Sequence, residues 1–202
     1  MRSLVFFSLF LFLEKEHVSA QNFLPPCADA DIVFLADWSG SVEGYESSLE
    51  EGLSTLLSLL PPKENIFRYG VVSFASSAHV DSYLTSDTTK LSYVLDNWDS
   101  KIATGGTNLF DGLVVSRYLF EQSPRETQKI LVIVTDGDVD NDTEKMSIEL
   151  AKNIRDSGII ILTIDVGNNF TDLKVIEGIS DFYFQSDIIL LSETIRKIFS
   201  CI

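Results

Sequence analysis

Short apolar runs alternate with longer stretches of helical period along most of this chain. Ile32–Leu35, Ile130–Val134 and Ile159–Ile164 are almost continuously apolar. They lack the in-out alternation of a half-exposed strand, so they predict strands covered on both faces. Between the first run and the next strand, Leu49, Leu53, Leu56, Leu57 and Leu60 fall at helical spacing within Tyr45–Leu60, and Pro61-Pro62 stops that helix. Phe67–Phe74 and Ala78–Tyr83 flank the small polar turn Ala75-Ser76-Ser77 and predict a hairpin. Further helices are expected over Leu91–Trp98, Thr107–Phe120, Thr143–Ser157, Asp172–Ile179 and Ile188–Ser200, and further strands over Lys129–Thr135, Gly158–Val166 and Phe182–Gln185. This βα alternation predicts an α/β fold: a doubly wound, mostly parallel sheet with one antiparallel edge strand and helices on both faces.

The first twenty residues stand apart from that pattern. Arg2 leads into the apolar stretch Leu4–Leu13, and a polar segment then ends in Val18-Ser19-Ala20, the small-residue pattern of a cleaved secretory signal peptide. Residues 1–20 are therefore expected to be a leader and 21–202 a single domain. The leader's apolar core is too short to span a bilayer, and no other segment approaches the roughly 20 apolar residues a span needs, so no membrane insertion is expected. A net charge of −15 repels nucleic acid and anionic membranes and favours cations and basic protein surfaces. In an oxidising compartment Cys27 and Cys201 are expected to pair as a disulfide joining the two ends of the domain. Structural zinc is not expected, because beyond the leader His79 is the only histidine to join these two thiols.

The candidate chemistry lies where strands end. Asp37-Trp38-Ser39-Gly40-Ser41 follows the first apolar run, and an Asp with two hydroxyls at alternate positions can converge hard oxygen donors on a cation. Taken alone, these residue types also serve as helix caps and turns. Gly105-Gly106-Thr107-Asn108 and Thr135-Asp136-Gly137 add a hydroxyl and a second carboxylate, the latter directly after another buried run. Ligands of doubly wound sheets bind outside the carboxyl ends of the strands, where Asp37 and Asp136 both fall.

With these pieces in this order, the chain resembles the von Willebrand factor type A domain family from about Ala30 to Cys201. The family's metal-ion-dependent adhesion site has an Asp-x-Ser-x-Ser loop after the first strand, a Thr in a later loop and an Asp after the fourth strand. By resemblance, Asp37, Ser39, Ser41, Thr107 and Asp136 take these positions. With the leader predicting a secreted, extracellular protein, the resemblance implies an adhesion module that holds Mg²⁺ or Mn²⁺, with Ca²⁺ less suited, and binds a partner protein whose acidic side chain completes the cation's coordination. It also implies no enzymatic activity. The alternatives are a secreted metal-assisted hydrolase, for which no Gly-x-Ser-x-Gly elbow is present, and a structural matrix component with a vestigial site.

Two further signals lie nearby. Asp138, Asp140 and Asp142 alternate after Asp136 like the start of a calcium loop, but Thr143 stands where such a loop needs Gly, so a solvated acidic loop is expected. Asn141-Asp142-Thr143 and Asn169-Phe170-Thr171 fit the N-glycosylation pattern. Trp38, inside the first loop, is either a partner contact or packing for the following helix.

Overall fold

The computed structural model describes residues 29–98, 103–123, 125–167 and 173–200. The expected leader, Cys27, Cys201 and Asn169 lie outside these residues.

A six-stranded sheet runs in the order β3-β2-β1-β4-β5-β6. Its strands are β1 (Ala30–Asp37), β2 (Phe67–Phe74), β3 (Ala78–Thr85), β4 (Gln128–Thr135), β5 (Ile159–Asp165) and β6 (Phe182–Gln185). All pairs are parallel except β2 with β3, whose hairpin supplies the antiparallel edge. Every residue of β1 is buried, which explains why its stretch Ile32–Ala36 reads as an unbroken apolar run.

The helices are α1 (Glu46–Leu59), α2 (Thr88–Trp98), α3 (Leu109–Glu121), α4 (Glu144–Asp156), α5 (Leu173–Ile179) and α6 (Leu191–Phe199). Successive side chains of a strand point to opposite faces, and the core divides accordingly. Ile32, Phe34 and Ala36 of β1 join a cluster with α1, α2 and α6, while Val33 and Leu35 join a second cluster with α3, α4 and α5. In α1, Gly52 permits close approach of α6, since a β-carbon there would stand only 2.7 Å from Leu191 Cδ2.

Differences from expectation concern ends. α3 begins at Leu109, not Thr107, because Asn108 Oδ1 accepts the amide of Asp111 and caps the helix. The closing helix is split: Ile188–Leu190 form a 3₁₀ turn, capped by Asp187, before α6 begins. β3 runs two residues beyond Tyr83, and α2 begins three residues before Leu91.

At the amino end of β1 a buried polar cluster holds the sheet together. Asp31, fully buried, accepts hydrogen bonds from Arg68 Nε at 2.9 Å and Nη2 at 2.6 Å, from Ser123 Oγ at 2.8 Å and from Arg125 Nη1 at 3.2 Å. Arg125 Nη2 also donates to the carbonyl of Asn65 at 2.9 Å. Both oxygens of the carboxylate are thus satisfied by charged donors, the condition under which a buried ion pair is tolerated.

Candidate functional site

β1 has the next strand in sequence, β2, on one side and β4 on the other, so the winding reverses between β1 and β4 and a crevice opens at their carboxyl ends. Asp37 is the last residue of β1 and is fully buried. Its Oδ1 accepts the amide of Ser39 at 2.9 Å and its Oδ2 accepts the hydroxyl of Thr135, the last residue of β4, at 2.7 Å. Burial pushes this carboxyl up to about 6; hydrogen bonds from Ser39 and Thr135 pull the other way, and the nearby charge of Asp136 adds to the rise.

Ser39 precedes a 3₁₀ turn, Gly40–Val42, yet its hydroxyl makes no capping bond. Instead Ser39 Oγ and Ser41 Oγ stand 2.9 Å apart and share a hydrogen bond. Thr107 does not cap α3 either, that role falling to Asn108. Ser39, Ser41 and Thr107 line one open cleft of about 680 Å³ together with Gly105, Gly106 and the 138–143 loop. Asp136 is half-buried, and its Oδ1 accepts the amide of Asp138 at 3.2 Å, so it also forms the turn that its residue type favours. Of the five predicted residues, three hydroxyls share the cleft wall, while the two carboxylates sit at the adjoining ends of β1 and β4, close enough for the charge of Asp136 to act on Asp37.

The loops are tied by backbone bonds. The amide of Gly40 donates to Gly105 O at 3.2 Å, Thr104 N to Trp38 O at 3.0 Å, and Asn108 N to Ala75 O at 2.7 Å. Gly105 has φ +90, where a side chain would be strained, and a β-carbon there would also stand 2.7 Å from Ser76 Oγ. Ser76 Oγ in turn accepts the amide of Gly106 at 2.9 Å.

Two contributors escaped the sequence reading. Asp140, expected as part of a solvated loop, clamps the Thr107 backbone from both sides: its Oδ1 accepts Thr107 N at 3.2 Å, and its amide donates to Thr107 O at 3.1 Å. Thr135 is expected from sequence only as the end of a strand, although a hydroxyl one residue before the second carboxylate is a usable signal. Trp38 is packing: it is 5% exposed and stacks obliquely on Trp98, with ring centroids 4.8 Å apart.

The donor set suits a hard divalent cation. Two oxygens bound side by side on an octahedral Mg²⁺, each about 2.1 Å from the metal, stand about 3 Å apart, which is the spacing of the Ser39 and Ser41 hydroxyls. Among the described residues no three His, Cys, Asp or Glu side chains gather at metal-holding distance. Cation binding here would therefore draw on hydroxyls as much as on carboxylates.

The family model of the von Willebrand factor type A domain matches residues 31–197. Mouse (Mus musculus) collagen alpha-6(VI) chain is 29% identical over 161 residues, covering 76% of this chain and 7% of the collagen chain. Zebrafish (Danio rerio) von Willebrand factor A domain-containing protein 1 is 28% identical over 176 residues, covering 81% of this chain and 33% of the relative. The chain thus spans a minor part of either relative. Among solved structures, proximal thread matrix protein 1 from the mussel byssus superposes with a TM-score of 0.72 at 21% identity, covering 88% of this chain and 47% of that one. The same mussel protein with a zinc-occupied MIDAS motif gives 0.71 at 23% identity, covering 87% and 46%.

Proposed function

Because the chain belongs to the von Willebrand factor type A domain family, we propose that it is an extracellular protein-binding module acting through a divalent cation. Asp37, Ser39, Ser41, Thr107 and Asp136 hold Mg²⁺ or Mn²⁺, and an acidic side chain of the partner protein completes the coordination. The observation that carries this reading is the Ser39–Ser41 pair: two hydroxyls at 2.9 Å, relieved of capping duty, on the wall of an open cleft. Two carboxylates balance a divalent charge without caging it, so the ion stays electrophilic toward a third carboxylate. An all-carboxylate cage would suit Ca²⁺ better and recruit nothing.

Homology to collagen VI chains supports an extracellular, protein-binding role. No helix among the described residues is long and apolar enough to cross a membrane. Residues 1–20 act as the leader that brings the chain to that compartment, where Cys27 pairs with Cys201. His79 lies on β3 against Ser77, outside the cleft, so no histidine among the described residues stands beside the proposed cation as a general base.

Calorimetric titration of the purified protein with Mg²⁺ and with Mn²⁺ tests the site. A saturable single-site isotherm is expected, lost in Asp136→Ala; equal affinity in both proteins overturns the assignment. Peptide mapping without reduction tests the disulfide, and free thiols at both positions overturn it.

A further inference from the structure

The motif Asn141-Asp142-Thr143 falls on the wall of the same cleft. The loop turns sharply there, with Thr143 N donating to Asp140 O at 2.9 Å and Thr143 Oγ1 to the same carbonyl at 3.0 Å. Asn141 sits at the turn, exposed, and lines the same cleft as Ser39 and Ser41. We infer that Asn141 carries an N-linked glycan that stands over the 138–143 side of the cleft and confines macromolecular partners to approach from the Gly40–Gly105 side. This rests on the reading of the cleft as a partner site and specifies how that site is reached.

The chemistry is available in the secretory pathway. Asn141 Nδ2 attacks the anomeric carbon of a lipid-pyrophosphate-linked oligosaccharide. The new C–N bond replaces the C–O bond to pyrophosphate, the bonding pair leaves with the pyrophosphate, and the amide loses one proton to a base of the transferring enzyme. Transfer acts on the nascent chain, so the engagement of the Thr143 hydroxyl in the folded loop does not oppose it. What the fold must do is tolerate the product, and an exposed residue at a turn tip does so without disturbing a packed contact. Approach is then asymmetric. Glycan covers the side bearing Asp138, Asp140 and Asp142, whereas Gly106 and Gly105, the latter joined to Gly40 through Gly40 N and Gly105 O, line the cleft without side chains to obstruct approach. A hydrated cation is small enough to pass beneath a mobile oligosaccharide, and a folded partner is not.

The test uses the full chain secreted from eukaryotic cells. Enzymatic deglycosylation in heavy-oxygen water, followed by peptide mapping, should mark Asn141 as an isotope-labelled aspartate. Access is then read with Asp138→Cys, a thiol on the cleft wall, alone and combined with Asn141→Gln. A small maleimide should react equally with both proteins, while a polymer-linked maleimide should react several-fold more slowly with the glycosylated one, and deglycosylation should abolish that difference. An unmarked Asn141, or a polymer reagent indifferent to the glycan, overturns the inference. Mn²⁺ titration of the same samples separates the two ideas, since loss of Mn²⁺ binding with and without glycan indicts the cation reading and leaves the access result standing.

Discussion

Thr135 Oγ1 donates to Asp37 Oδ2 at 2.7 Å, joining the tips of β1 and β4 through their last side chains. The same hydroxyl oxygen accepts the amide of Gly137 at 3.1 Å, so it also shapes the turn that carries Asp136. Thr135→Val should therefore leave two buried polar groups short of a partner, at about 1–3 kcal/mol for each. Urea unfolding measures this, and Thr135→Ser should recover most of the loss.

Asp37 carries a stability cost that depends on pH. Its carboxyl is raised from 3.8 to about 6 in the fold, chiefly by burial, so between these values the native state binds a proton that the unfolded state has released. Stability is thus highest below the unfolded value and falls as pH rises through about 6, by about 3 kcal/mol in the metal-free protein. Asp37→Asn removes that cost while keeping an acceptor for Ser39 N and a donor toward Thr135. The variant should be more stable than wild type at pH 7.5, lose its advantage near pH 4, and gain nothing in melting temperature from Mg²⁺, whereas the wild type gains. A wild-type melting temperature that rises with pH across this window in chelator contradicts the argument.

Asp140 acts on the site through Thr107. Removing its carboxylate in Asp140→Ala frees one side of the Thr107 backbone while leaving all five proposed ligands in place. Mn²⁺ affinity should fall by about ten- to a hundredfold, as is usual for groups that orient ligands, with little change in melting temperature without metal. Unchanged affinity would return Asp140 to the role of a solvated loop residue.

Asp31 is a matter of stability alone. Asp31→Ala leaves Arg68 and Arg125 facing each other across a buried gap, and should cost about 3–5 kcal/mol. Because Asp31 sits at the opposite end of β1 from Asp37, cation affinity measured on the folded fraction should not change.

The central strands were legible because burial on both faces writes an unbroken apolar run, as in Ile130–Val134, and the doubly wound class followed from their alternation with helices; the order of strands across the sheet did not. The residue types of the site were legible from their positions at strand ends. Their local duties were not. Whether Ser39 caps a turn or faces the cleft depends on the direction of one hydroxyl, and that is set by Gly105 packing against Gly40 from a loop distant in sequence. The role of Asp140 was hidden for the same reason, since its partner is the backbone of Thr107, thirty-three residues away, and alternating aspartates in sequence look the same whether solvated or anchored.

The placement of Asp31 and its two arginines has a consequence for the molecule as an electrical object. Asp31 and Asp37 are six residues apart on one extended strand, about 20 Å. Two guanidinium groups offset Asp31 and Asp29 at one pole, while Asp136, Asp138, Asp140 and Asp142 crowd the other without a cationic side chain among the residues that line the cleft. Superimposed on a net charge of −15, this separation gives the domain a dipole along the strand axis. In the field of a positively charged surface it would turn before contact, acidic pole foremost, so that orientation is settled during diffusion, before any partner reaches the cleft.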